Sequence, residues 1–275
     1  MTSPRSDDGT EIVPGSGRAP SPRADSAGQA WAGRMLKPNP FAGDDGSLLP
    51  SMATALATAD PGERLVAVVQ ELRTGRVLVP VVAHSHPGTD GGEVAAHEKQ
   101  ISGDAQADAT SSAASALLRT EDGRAALPVF SSYDQLRAWR ADARPVPVEG
   151  QRAAMSAAAE EDQLMVLDPA GEAPVLVGRV AVGALATDSD WTPPWVDQDL
   201  PVLITRSLRG AKHLIGVALE PGRKAELKVV LAVRAGFDRQ GLEEELARVS
   251  TRLGEIEELR TRVDSIELFP TLVAE

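Results

Sequence analysis

The chain of 275 residues contains no cysteine. This absence excludes disulfide bonds, thiolate zinc sites, iron–sulfur clusters and all chemistry that uses a cysteine nucleophile. Aromatic side chains are also scarce, at 3% of the residues, so valine, leucine and alanine must supply most of a core. With 42% hydrophobic residues, the chain is nevertheless apolar enough to fold into one large domain or two smaller ones.

Positively charged residues are also few. The 28 lysines and arginines are outnumbered by 40 aspartates and glutamates, which gives a formal net charge of −12. Because such a chain repels phosphate backbones and anionic lipids, we predict no nucleic-acid partner and no membrane partner. No apolar run is long enough to span a bilayer, and Asp7, Asp8 and Glu11 stand where a secretory leader would be apolar. We therefore expect a cytoplasmic protein.

The N-terminal part of the chain changes character near residue 40. Residues 1–40 are rich in serine, proline, glycine and alanine, which predicts a disordered tail. Residues 41–187 then show short helical and strand patterns, including a hairpin around the Asp122-Gly123 turn. Within them, the polar, glycine- and aspartate-rich stretch 84–110 predicts a long flexible loop.

The C-terminal part follows a predicted linker at 188–200, where two prolines stiffen the backbone between Trp191 and Trp195. Residues 201–275 predict a β-β-α-β domain whose single long helix spans 238–262. Strands and helices do not alternate as they do in a doubly wound parallel sheet. The sequence therefore predicts an α+β fold with two α+β domains, each a mostly antiparallel or mixed sheet covered by helices.

Three histidines in the 84–110 loop form the sequence pattern that most resembles a catalytic metal site. His84-Ser85-His86 follows an apolar strand and resembles the metal-binding stretch of JAMM-type isopeptidases. Where that family continues with a serine and then an aspartate, this chain has Val94 and His97. His84, His86 and His97 could bind zinc together with a carboxylate, but nothing in a flexible loop forces the geometry. A metal-dependent hydrolase is therefore the alternative interpretation, and incidental loop histidines are the favoured one.

Other catalytic motifs are missing from the sequence. It has no P-loop, no dinucleotide-binding glycine motif after a strand and no Gly-x-Ser-x-Gly nucleophile elbow. Adjacent carboxylates, such as Asp44-Asp45, are interpreted as solvated surface. We therefore predict a protein that is not an enzyme and that binds no cofactor.

A set of short motifs resembles the SseB protein N-terminal domain. The stretches that carry the resemblance are Asp122 to Ser132, Leu136, Trp139, Arg144 to Val148 and Leu167 to Gly171. Residues 39–46 and 77–83 also resemble actinobacterial members, and the chain from about 201 is similar to the SseB C-terminal portion, so that the resemblance spans about 41–270. It implies a cytoplasmic α+β protein, from a family for which no catalytic residues are established.

The same motifs suggest where a protein partner could bind. The candidates for lining an interaction groove are Arg124, Pro128, Phe130, Trp139, Arg144 and Asp168. Their structural interpretation is a turn, an interrupted strand and a small aromatic cluster. We predict a protein-interaction or regulatory module with an unknown protein partner, and the sequence leaves its oligomeric state open. A third, weaker interpretation is a small-molecule sensor linked to amino-acid metabolism, which rests only on the family name, enhanced serine sensitivity.

Overall fold

A computed structural model describes residues 40–82, 117–211, 213–234 and 239–273. The helices in these ranges are α1 (Pro50–Leu56), α2 (Pro61–Leu72), α3 (Tyr133–Trp139), α4 (Gly150–Ala158), α5 (Arg179–Ala186), α6 (Leu200–Ser207), α7 (Arg239–Gly254) and α8 (Glu257–Arg262). The strands are β1 (Arg76–Val81), β2 (Leu118–Arg119), β3 (Ala125–Val129), β4 (Arg144–Glu149), β5 (Leu164–Leu167), β6 (Val175–Val177), β7 (Leu214–Pro221), β8 (Leu227–Arg234) and β9 (Ile266–Val273). The predicted α+β class is confirmed.

The strands form three sheets. β1 pairs with β4, the order of the second sheet is β2-β3-β5-β6, and the order of the third is β7-β8-β9. Most neighbours are antiparallel, but β3 pairs with β5 and β8 pairs with β9 in parallel. Parallel neighbours require a crossover connection, which α7 and α8 provide between β8 and β9. The predicted hairpin at Asp122-Gly123 is confirmed, since β2 and β3 are antiparallel on either side of that turn.

Two helix starts follow directly from the sequence. The Asp60 carboxylate accepts the backbone N–H of Glu63 at 2.9 Å, and Pro61 occupies the first position of α2. The Ser132 hydroxyl accepts the backbone N–H of Gln135 and caps α3. The residue pattern predicts a cap at Asp60 and a second cap at either Ser131 or Ser132; the first is confirmed, and the second is formed by Ser132.

The chain divides into residues 1–42, of which only a turn at 40–42 is described, and residues 43–275. The second unit contains two large apolar cores. The first lies among α1, α2, α4 and α5 and the strands before residue 178, and the second lies between the β7-β8-β9 sheet and the helices α6, α7 and α8. Trp191 packs against the first core and Trp195 against the second, with their rings edge to face and 6.1 Å between centroids. The domain boundaries themselves stay a prediction.

The prediction of one helix over 238–262 is wrong. Within the described residues, α7 ends at Gly254 and α8 begins at Glu257, with Ile256 in an extended conformation between them. Glycine is the weakest helix former apart from proline, which explains the position of the break. The chain changes direction at the break, and both Leu253 before it and Leu259 after it are buried in the second core.

The predicted linker at 188–200 also differs from the structure. It is not extended throughout, because the carbonyl oxygen of Pro193 accepts the N–H of Val196 at 3.1 Å in a turn. Helix α6 begins at Leu200, the last residue of the predicted linker. This helix is not among the elements predicted from the sequence. Pro201 at the first turn is the feature that indicates it.

Several sequence predictions lie outside the described residues. They include the tail except residue 40, and the whole of the 84–110 loop with His84, His86 and His97. Among the helices that are described, none combines the length and the apolar composition needed to cross a membrane.

Candidate functional site

The predicted groove residues Arg124 and Phe130 lie at opposite ends of β3. The six residue steps from one to the other correspond to about 20 Å along an extended strand. At the far end, Phe130 is fully buried and its ring packs against Trp139 with 5.3 Å between centroids. The predicted aromatic cluster is therefore formed, and Arg124 is distant from it.

Arg124 is bound by carboxylates. Its Nε atom donates to Asp122 at 2.7 Å, and its Nη1 atom donates to both carboxylate oxygens of Asp264 at 3.0 Å. The Asp264 side chain is only 2% exposed, so the ion pair is buried on that side. Arg124 thus ties the β2–β3 turn to the segment that leads into β9.

Asp168 also has internal partners. Its carboxylate accepts the backbone N–H of Ser131 at 2.8 Å and the Ser131 hydroxyl at 2.5 Å. Asp168 is buried, and this burial raises the pKa of its carboxyl above the usual value. Its backbone lies in the left-handed region with φ of 52°, which fits the turn predicted before Pro169. Asp168 therefore fastens the end of β5 to the end of β3.

Pro128 lies in β3 where its missing N–H costs nothing. The carbonyl of Val129 accepts the N–H of Asp168 on the β5 side, whereas Phe130 exchanges both backbone hydrogen bonds with Leu78 on the opposite side. Residues 128 and 130 face the same edge because strand residues alternate. Among the described residues, β2 pairs with β3 only as far as Ala126, so Pro128 falls in the gap between β2 and β1. The predicted interruption of pairing is confirmed.

The sixth predicted groove residue, Arg144, is exposed at the start of β4, opposite Val81 of β1. Pro128, Phe130 and Asp168, by contrast, are buried. The structure therefore joins Phe130 to Trp139, ties Asp168 to Ser131 and Arg124 to Asp264. These contacts account for four of the six residues as internal stabilisers.

The interpretation of Asp44-Asp45 as solvated surface is wrong for Asp44. The Arg76 guanidinium, whose side chain is 4% exposed, donates to both carboxylate oxygens of Asp44 at 2.5 and 2.8 Å. The same guanidinium donates to the carbonyl oxygens of Ser47 and Ser131. Sequence spacing does not reveal this cluster, because Arg76 is 32 residues away from its carboxylate.

A second buried group lies in the connection between β7 and β8. Glu226 Oε2 accepts the N–H of Asp264 at 2.6 Å, while its Oε1 atom is buried and has no hydrogen-bond partner among the described residues. Burial, with the neighbouring Asp264 carboxylate, raises the pKa of Glu226 from its usual 4.5 to about 7. The Arg179 and Arg124 charges oppose that rise only in part. Glu226 therefore titrates near neutral pH.

Nothing in the described part of the chain assembles a metal centre. It contains no group of three or more histidine, cysteine, aspartate or glutamate side chains that could hold an ion. The His84, His86 and His97 hypothesis falls on residues that are not described.

The feature most suited to contact another macromolecule is one face of the β7-β8-β9 sheet. One face of β8 is buried on the second core through Leu227, Val229, Leu231 and Val233. Strand registers place six residues on the other face, which we call the open sheet face: Gly216, Ala218, Val230, Ala232, Phe269 and Thr271.

The open sheet face is apolar and accessible. Ala218 and Thr271 are exposed, Phe269 is 53% exposed, and Val230 and Ala232 are partly exposed between them. The ammonium group of Lys228 lies 5.1 Å from the centroid of the Phe269 ring, which confirms that both side chains share this face. Contiguous apolar surface of this kind is a common mark of a protein-interaction site.

Charged residues stand at the two ends of the open sheet face. At one end, Lys228 lies between Glu220 of β7 and Glu267 of β9, and its Nζ atom is 2.6 Å from Glu220. At the other end, Arg234 lies beside Val273 and is exposed. Counted over the strand residues of the face, one end is therefore net negative and the other is positive; the turn beside the negative end adds the exposed Arg223, whose backbone N–H donates to Glu267 at 2.6 Å, and the exposed Lys224.

The sequence comparisons find a similarity to a known family in the first part of the chain. Residues 52–184 match the family model described as the SseB protein N-terminal domain. The match begins in α1 and ends in α5, so it covers the strands of the first two sheets and none of β7, β8 and β9. No curated protein and no solved structure matches this chain.

Proposed function

We propose that this chain, whose residues 52–184 match the SseB protein N-terminal domain, is a non-enzymatic cytoplasmic protein-interaction or regulatory module of the SseB type. The residues from about 201 onward form its SseB-type C-terminal portion in this proposal. The observation that carries the proposal is the open sheet face, an accessible apolar surface framed by charge.

The chemistry of this face suits binding. Its small side chains at Gly216, Ala218 and Ala232 leave a flat floor, beside which the Phe269 ring projects from β9. A flat apolar floor with one aromatic anchor and a charged border is typical of protein–protein contact surfaces.

The internal contacts of the carboxylates and guanidinium groups in the first part of the fold support the same proposal. Arg76, Arg124 and Asp168 are engaged in buried ion pairs or hydrogen bonds, which is the arrangement of groups that hold a fold together. The hydroxyl of Ser131 does lie beside the Asp168 carboxylate, but both residues are buried, so this pair is not placed to meet a substrate as the nucleophile and base of acyl transfer must be. Turnover of a substrate by the purified protein, abolished by a point substitution, would contradict the non-enzymatic part of the proposal.

The binding part is tested by photocrosslinking in living cells. A photoreactive amino acid replaces Thr271 on the open sheet face in one variant, and exposed Glu244 on α7 in a matched control. We expect discrete crosslinked species from position 271 and none in common with position 244. Equal, diffuse crosslinking at both positions would show that the face is not a specific contact surface.

A further inference from the structure

We propose that the open sheet face binds the same face of a second copy of this chain, in a symmetric dimer in which Arg234 of each copy lies against a glutamate of the other. This inference rests on the proposed function and names the partner. It follows from the order of charges along the face, from the packing geometry of sheets and from a proline in β9.

Addition of a partner strand along β9, one of the two edge strands of the sheet, is disfavoured. β9 is an edge strand, but Pro270 stands in its middle and supplies no N–H for pairing. Short, proline-interrupted edges resist strand addition, whereas the face that carries Phe269 has no such obstacle. On this side of the sheet the occupant is therefore expected to pack on the face and not along β9.

The charges on the face are complementary to a rotated copy of themselves. Lys228 and Arg234 are six residues apart on β8, which corresponds to about 20 Å along an extended strand. A two-fold axis that runs across the strands, through the level of Leu231, places the positive end of one copy over the net negative end of the other. Both ends then pair at once, as an isologous interface requires.

The packing angle of sheets decides which side chain Arg234 meets. A strictly aligned stack would place it over Lys228, at the centre of the acidic end. Sheets that pack face to face are instead rotated by about 30°. Since Arg234 lies about 10 Å from the axis, this rotation moves it sideways by about 5 Å, which is one strand spacing. Arg234 therefore meets a flanking strand, at Glu220 or Glu267.

The dimer is expected to be weak. Three strands over about 20 Å give a contact of about 300 Å² per copy, whereas stable interfaces bury about 800 Å² per partner. We therefore expect a dissociation constant of roughly 10 to 500 µM at moderate ionic strength. The expected self-association weakens when salt screens the charged ends.

Charge-reversal variants in the full chain test the proposal. Arg234→Glu places like charges together in a homodimer, as does Glu267→Lys or Glu220→Lys. Sedimentation velocity on each variant alone is expected to show at least a tenfold weaker association than the original chain. An equimolar mixture of Arg234→Glu with one of the lysine variants restores association, because both contacts in that heterodimer pair opposite charges.

The controls separate folding from binding. Arg206→Glu makes the same charge change at an exposed position on α6, which packs against the opposite, buried face of the sheet, and is expected to leave association unchanged. Phe269→Ser removes the apolar anchor at an exposed position and is expected to weaken association with every partner variant. Circular dichroism confirms that each variant is folded.

Two results would overturn the inference. One is an original chain that stays monomeric up to 500 µM; the other is self-association that neither Phe269→Ser nor Arg234→Glu weakens. If position 271 crosslinks to a different protein while the chain is monomeric, the dimer is wrong and the proposed interaction function stands. A mixture of complementary variants that fails to associate, although the original chain does so, would refute the two-fold charge pairing.

Discussion

We expect the buried carboxyl of Glu226 to make the stability of the protein fall as pH rises, and Glu226→Gln to remove this contribution. The glutamine amide retains an oxygen that can accept the N–H of Asp264, so the substitution removes the titration and keeps the contact. The effect arises because burial raises the pKa of Glu226 from 4.5 to about 7.

The direction of the change in stability with pH depends on which state, native or unfolded, binds the Glu226 proton more tightly. The native state holds the Glu226 proton up to about pH 7, whereas the unfolded chain releases it near 4.5, so stability is lost as pH rises through this window. Between pH 5 and pH 8 the loss is about 2 to 3 kcal/mol, since one pKa unit corresponds to about 1.4 kcal/mol. Glu226→Gln is therefore expected to be nearly neutral at pH 5 and stabilising at pH 8.

The assay is urea unfolding followed by circular dichroism at pH 5, 6, 7 and 8. The difference in free energy of unfolding between Glu226→Gln and the original chain is plotted against pH. The exposed Glu255→Gln serves as the control and is expected to give a flat difference. Parallel curves for the original chain and Glu226→Gln over this range would refute the reasoning, because Glu226 would then titrate alike in both states.

Two further predictions concern a buried ion pair and the packing at two glycines, and both are measured by urea unfolding. Arg76→Ala is expected to cost about 3 to 5 kcal/mol, because it leaves the largely buried Asp44 unpaired, and Arg76→Ala combined with Asp44→Ala is expected to cost less than the sum of the two single changes. Gly150→Ala is expected to cost at least about 2 kcal/mol, because its Cβ would lie 2.2 Å from the carbonyl oxygen of Leu72. Gly183→Ala in α5, where a Cβ meets nothing within 4 Å, is expected to stabilise by about 0.5 to 1 kcal/mol, and an equal cost at both glycines would contradict the packing argument.

The sequence predicts local structure well where a single residue determines it. Asp60 and Ser132 mark helix starts through hydrogen bonds to residues three positions away, and Asp122-Gly123 marks a hairpin turn. Each of these contacts joins residues that are close together in the sequence, so a short stretch of sequence is enough to predict it. The sequence also contains a signal for the division of the C-terminal helix, because Gly254 lies within the predicted span 238–262.

Long-range pairings account for what the sequence does not predict. The open sheet face depends on the parallel alignment of β9 with β8, and no local pattern fixes that register. Val230 and Ala232 nevertheless point to it, because β8 places apolar residues on both of its faces where a solvated strand would alternate. The partners Arg124 and Asp264 are separated by 140 residues, so the ion pair is visible only in the folded chain.

The edge-to-face contact of Trp191 and Trp195 provides an optical reporter of how the two apolar cores lie against each other. Two indole rings at this separation couple electronically, and the resulting near-ultraviolet bands depend on the angle between the rings. Each ring is anchored in a different core, so movement of one core relative to the other changes that angle while helices and strands stay intact. Near-ultraviolet and far-ultraviolet spectra of the unlabelled protein would then separate slippage between the cores from unfolding of either one.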